Sequence, residues 1–233
     1  MRRLILLYGL HALVVIVCAG CRNNTSTPQH RESSAPKIIK QPVQFATRTF
    51  DPANPPADMP PLPSGGDIAE CDSNFISNAS VGGQAWHSDA THATVTFNLI
   101  TVTLQLNITI WVPAGVSDRV MEHEQGHRQI SEYYYRTADK LAEKIASNYM
   151  GKQVAISGPD LDAELHKTLQ GIGAEITAEY NKELDPNPTQ LLYDSITDHS
   201  RNEVAVQDAV AHALKNVAVE AGQPANADPP DHQ

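Results

Sequence analysis

The sequence predicts an α+β domain, a small antiparallel or mixed sheet followed by three helices. Three observations carry this. THATVTFNLITVTLQLNITIWVP, residues 91–113, is dense in β-branched and apolar residues with stretches of alternation. Downstream, apolar residues recur at three-and-four spacing. The two patterns occur in blocks, strands first and helices afterwards, rather than alternating.

The β-rich stretch reads as strands around 91–98 and 101–112, ended by Pro113 and Gly115. The first helix is predicted at about 118–149, on Val120, Ile130, Tyr134, Ala138, Leu141, Ile145 and Tyr149. Ser117 is its expected N-cap, Asp118 suits the positive end of the helix dipole, and Gly151 is its expected stop. The second helix, about 159–183, carries Leu161, Leu165, Leu169, Ile172, Ile176 and Tyr180 in a stripe. The third, about 202–219, carries Val206, Val210, Leu214 and Val217.

The first helix contains an anomaly. Extended back from Tyr134, its inward stripe passes through Ser131, His127, Glu124 and Val120. At about 100° per residue, His123 and His127 lie roughly 40° apart, with Glu124 beside them. A buried carboxylate costs several kcal/mol unless paired or bound. A Zn²⁺ ion removes the difficulty: two neutral imidazoles one turn apart both reach it. The carboxylate between them is then placed to take a proton from a water acidified by the ion. His123-Glu124-Gln125-Gly126-His127 satisfies this H-E-x-x-H pattern. The competing reading is a solvated helix face in a chain with 10 histidines. The register of the motif with the apolar stripe argues against it.

The flanks read differently. Arg2 and Arg3, then an apolar run from Leu4 to Val17, form an export signal over residues 1–20. Val17-Cys18-Ala19-Gly20-Cys21 resembles a bacterial lipobox, which makes Cys21 the lipidation site and the membrane a partner through that anchor. The alternative is an ordinary secretory signal cut near Ala19 or Gly20. Arg22, where an aspartate would resemble inner-membrane retention, points to the outer membrane and periplasm. Residues 21–66 are a Pro- and Ser-rich tether, within which KIIKQPVQFATRTF alternates and is able to dock as an edge strand. The domain is expected at 67–221 and a polar tail at 222–233. Cys71 has no partner for an intrachain disulfide; it reads as a small buried residue or as a cap on the zinc. The net charge of −10 excludes a nucleic-acid-binding face of the usual basic kind.

A catalytic zinc needs a third protein ligand. The pattern H-E-x-x-H-x-x-G-x-x-H fails, because Ile130 and Tyr133 stand where glycine and histidine would be. Glu175 and Glu179, one turn apart in the second helix, are one option. LLYDSITDHS, residues 191–200, is another: His199 sits at a loop junction, with Asp194, Thr197 and Asp198 to orient it, and Asp198 is itself an alternative ligand.

HEQGH, followed by Tyr193-Asp194-Ser195-Ile196-Thr197-Asp198-His199, resembles the bacterial family catalogued as domain of unknown function 922, predicted secreted zinc-dependent proteases. The family pattern pairs HEQGH with Y-D-x-x-T-x-H-G. The chain matches at Tyr193, Asp194, Thr197 and His199 and departs at Ser200, where the family has glycine. The resemblance covers roughly residues 90–215 and implies a zincin-like fold with His123, His127 and His199 as zinc ligands.

The expected function is therefore zinc-dependent peptide-bond hydrolysis in the cell envelope, on a peptide or protein substrate, with Glu124 as general base. Tyr193 is the expected oxyanion donor, and the strand around Thr103–Val112 the expected edge for an extended substrate. His87, His92, His166 and His212 read as surface or junction residues. The rival classes are a zinc amidase acting on cell-wall peptides and a non-catalytic lipoprotein with a structural metal site.

Overall fold

The computed structural model describes residues 35–62 and 68–220. Its centre is one long strand, β4 (His92–Pro113). Val102, Leu104, Leu106, Ile108 and Ile110 are buried on one face, while Thr101, Thr103, Gln105, Asn107 and Thr109 are half-buried on the other. That alternation is the mark of a sheet with helices on one side only. The two strands expected at 91–98 and 101–112 are therefore one continuous element.

β3 (Glu70–His87) pairs antiparallel with β4 along nearly its whole length. A strand has two edges, so the other three strands share the opposite one. β5 (Gln153–Ser157) pairs antiparallel at residues 92–96. β1 (Lys37–Lys40) pairs parallel at 101–104, and β2 (Gln44–Phe50) parallel at 107–113. The sheet is mixed, and β4 is its spine rather than its edge. Residues 37–50, which composition places in the tether, belong to the sheet as edge strands, the docking that the alternation of KIIKQPVQFATRTF allowed.

Five helices occur among the described residues, two more than the sequence pattern suggested. The predicted helix over 118–149 is broken into α1 (Asp118–Arg136) and α2 (Ala138–Ser147). The break at Thr137 frees the carbonyl of Arg136, and Lys40 Nζ from β1 bonds it at 2.7 Å while reaching Asp139 Oδ1 at 3.0 Å. α3 (Leu161–Glu183) packs along the outer edge of β3. Gly173 permits this approach: a Cβ there would lie 2.6 Å from the Ala79 carbonyl oxygen. The Ala79 N–H donates to Thr177 Oγ1 at 3.2 Å, so this part of the edge is covered. α4 (Asn187–Thr197) and α5 (Val206–Glu220) pack with α1 around a second core of Ile130, Tyr193, Ala209, Val210 and Ala213.

None of the described helices is long and apolar enough to cross a membrane. The export signal, Cys21 and the tail expected at 222–233 lie outside the described residues.

Candidate metal centre

α1 crosses the helix-bearing face of the sheet with two working sides. His123, Glu124, Gly126, His127, Ile130, Ser131 and Tyr135 are all buried. Ser131 and Tyr135 reach the sheet: Ser131 Oγ donates to Ser73 Oγ at 2.8 Å, and Tyr135 Oη to the Leu104 carbonyl at 3.0 Å. Gly126, His127 and His123 face α4. A side chain at position 126 would collide with the hydroxyl end of Tyr193, so this glycine sets how closely the two helices approach.

α4 begins with Pro188 in its first turn, where a missing N–H costs nothing. Thr189, Gln190, Tyr193, Asp194 and Thr197 are buried and Leu191 is exposed, so the helix turns a polar side inward. Tyr193 fills the gap over Gly126. Its ring stacks on His123 at 5.0 Å and meets His127 edge-on at 4.9 Å, and its hydroxyl donates to the His123 carbonyl at 3.1 Å. Burial, then the Glu124 charge, pushes the phenol well above its ordinary range. This geometry gives Tyr193 the work of a packing and anchoring group, and the oxyanion role expected of it finds no support there.

Three donor atoms converge between the helices. His123 Nε2 and His127 Nε2 are 3.2 Å apart, and Asp194 Oδ1 lies 2.8 Å from the second and 3.5 Å from the first. Tetrahedral ligands at zinc distances of about 2.0–2.1 Å are separated by about 3.3 Å. The circle through these three atoms has a radius of about 1.9 Å, so a point about 2.0–2.1 Å from all three lies just off their plane. The donor set of two imidazoles and one carboxylate is one that zinc and its neighbours accept. Glu124, on the same helix turn, is 5 % exposed and is not one of the converging donors. Burial disfavours the charged form of His127, but Asp194, and then Glu124 and Gln190, outweigh it and hold the imidazolium above its ordinary range.

The sequence expected His199 to join His123 and His127, and the structure does place the two imidazoles side by side. The structure brings in Asp194 instead, the residue expected to orient His199. The reason is helical phase: α4 continues through Thr197, which puts Asp194 on the face toward α1. His199 follows the helix end, half-buried, within three consecutive left-handed residues, Asp198 (φ 46°), His199 (φ 50°) and Ser200 (φ 68°). Among the described residues the converging group is His123, His127 and Asp194, without His199, Asp198, Glu175, Glu179 or Cys71. Glu175 is exposed, and Glu179 accepts from Tyr149 Oη at 3.2 Å. Cys71 sits on β3; burial, then the Glu124 charge, raises its thiol well above the usual range.

Gln190 is the site residue that the sequence reading missed. Its Oε1 lies 2.6 Å from His127 Nδ1, and its Nε2 donates to the His127 carbonyl at 3.1 Å and to Ser131 Oγ at 3.0 Å. The available signal was its spacing, one turn before Asp194 and two before Thr197. His87 and His212 are exposed, His92 pairs with Asp89, and His166 bonds Gln170, all outside the site.

No protein-family model matches the chain, and comparison with curated proteins and with solved structures gives no significant match.

Proposed function

We propose that the chain is a zinc-dependent metallopeptidase with His123, His127 and Asp194 as protein ligands and Glu124 as general base. The observation that carries this reading is the convergence of two Nε2 atoms and one carboxylate oxygen beside a buried glutamate that stays out of the donor set. A bound divalent cation supplies Lewis acidity and an acidified water. Glu124 accepts the water proton and passes it to the leaving amine. Asp194, fixed on α4, makes the site depend on the α1–α4 interface. The order of sheet, metal-bearing helix and later ligand agrees with a zincin-like fold. The strand beside the site is β3, whose Ser73 touches α1, so its Glu70–Phe75 edge replaces β4 as the place for an extended peptide to pair. Export and a lipid anchor on Cys21 complete the reading as an envelope protein; loss of lipid labelling in Cys21→Ser tests the anchor.

One observation favours a second reading, a structural metal site: His123, Glu124, His127 and Asp194 are only 5, 5, 6 and 4 % exposed. Zinc per chain and cleavage of casein and of cell-wall peptides, measured for the full chain and Glu124→Gln, separate the cases. A peptidase keeps its zinc in the variant and loses turnover by roughly two to four orders of magnitude. A structural site binds zinc in both proteins and cleaves nothing in either. Cleavage confined to cell-wall peptides identifies the amidase.

A further inference from the structure

The donors behind the two imidazoles decide which nitrogen of each ring faces the metal position. Gln190 has an amide whose two ends differ, and its surroundings orient it. The carbonyl of His127 only accepts, so the group 3.1 Å from it is the NH₂ end, which also donates to Ser131 Oγ at 3.0 Å. Ser131 in turn spends its proton on Ser73 or on the His127 carbonyl. Oε1 therefore points at His127 Nδ1, at 2.6 Å, and an amide oxygen there requires a proton on that nitrogen. Thr197 follows the same logic at the other ring. Its hydroxyl has one proton, directed at the Tyr193 carbonyl at 2.8 Å, which leaves a lone pair toward His123 Nδ1 at 3.3 Å.

We infer that Gln190 and Thr197 are paired positioning residues that hold a proton on Nδ1 of His127 and of His123, so that both rings present Nε2 to a divalent cation. One face of α4 thus supplies a ligand, Asp194, and the two groups that orient the other ligands, at Q-x-x-x-D-x-x-T spacing. With Nδ1 protonated on both rings, the two Nε2 atoms 3.2 Å apart and the carboxylate oxygen converge on one point, which a divalent cation satisfies in place of the proton that His127 Nε2 otherwise shares with Asp194. The inference rests on the metal-site reading above.

The test uses the full chain, zinc as the probe, and two independent measurements. In zinc competition against a chromogenic chelator, Gln190→Leu lowers affinity about 10- to 100-fold. Gln190→Glu, which keeps an acceptor for Nδ1–H, retains most of it, and Thr197→Val behaves like the leucine variant where Thr197→Ser does not. In the metal-free protein, ¹H–¹⁵N spectra of the imidazoles show a slowly exchanging proton on Nδ1 of His127 and of His123. Equal zinc affinity in wild type and Gln190→Leu, or a His127 with no proton on Nδ1, overturns the inference. If the wild type takes up no zinc, the metal-site reading fails by itself, and the imidazole spectra, which need no variant, still decide where the protons lie.

Discussion

At the scale of single residues, two positions show how tightly the site is specified. Gly126 lies inside H-E-x-x-H, where the pattern itself leaves the residue open, yet its lack of a side chain is what admits Tyr193. Gly126→Ala should separate α1 from α4 and cost about 1–3 kcal/mol, as overpacking does. Because α4 carries Asp194, Gln190 and Thr197, zinc affinity should fall with stability; urea titration and chelator competition on the same variant check both. Ser200 is the opposite case. It holds φ 68°, a conformation glycine adopts freely, while its carbonyl accepts from Arg119 Nε at 2.6 Å. Ser200→Gly should stabilise the chain by about 0.5–1 kcal/mol and leave zinc affinity unchanged. A change in zinc affinity would mean that the left-handed turn, His199 included, takes part in binding the metal.

The elements differ in how visible they were from sequence. β4, α1, α3 and α5 announce themselves because their buried faces are apolar and periodic: Val102 to Ile110 in the strand, Leu161 to Tyr180 in α3. β3 does not, because its inward positions include Cys71, Ser73 and Ser77, its other face carries Asp72, Asn74, Asn78 and Ser80 around a single Ile76, and two glycines interrupt it. α4 is hidden because it buries Gln190, Tyr193, Asp194 and Thr197 and exposes Leu191, the reverse of the pattern that betrays a helix. The same inversion hid Asp194 as a candidate ligand, since only helical phase shows that it faces α1 while His199 lies past the helix end. β1 and β2 were obscured by the proline-rich sequence around them, although KIIKQPVQFATRTF alternates. Their pairing carries a consequence for the domain boundary. A chain beginning at residue 67 loses both strands, the Lys40 bonds at the α1–α2 break and the stacking of Arg128 on Phe45. It should be less stable than one beginning at residue 35 by at least a few kcal/mol, since those backbone pairs and Phe50 lose their burial. Equal denaturation midpoints would return residues 35–66 to the role of a tether.

For the whole molecule, the proposed metal site sets metal and proton in competition for one buried group, and that competition would give folding stability two opposite pH dependences. In the metal-free protein Asp194 and its neighbours raise the His127 value above the ordinary 6.5, against the effect of burial. A raised value in the folded state means that the native protein holds its proton more tightly than the unfolded chain. The resulting stabilisation is complete below the unfolded value and is lost as pH rises through the folded one. Zinc binds the deprotonated ring, so its contribution, which grows as RT ln(1 + [Zn]/Kd), has the reverse slope. Thermal unfolding across this window, with excess zinc and with chelator, should therefore give two curves that diverge as pH rises. At zinc about 100-fold above Kd the gap on the alkaline side should approach about 2.7 kcal/mol. Asp194→Asn should narrow it by weakening the donor set, while the lower proton affinity of His127 in that variant reduces competition with zinc and flattens the pH dependence of what remains. Glu124→Gln should leave most of the gap intact. A zinc-dependent gap that is flat with pH, or that survives Asp194→Asn undiminished, would show that the ion binds elsewhere on the molecule.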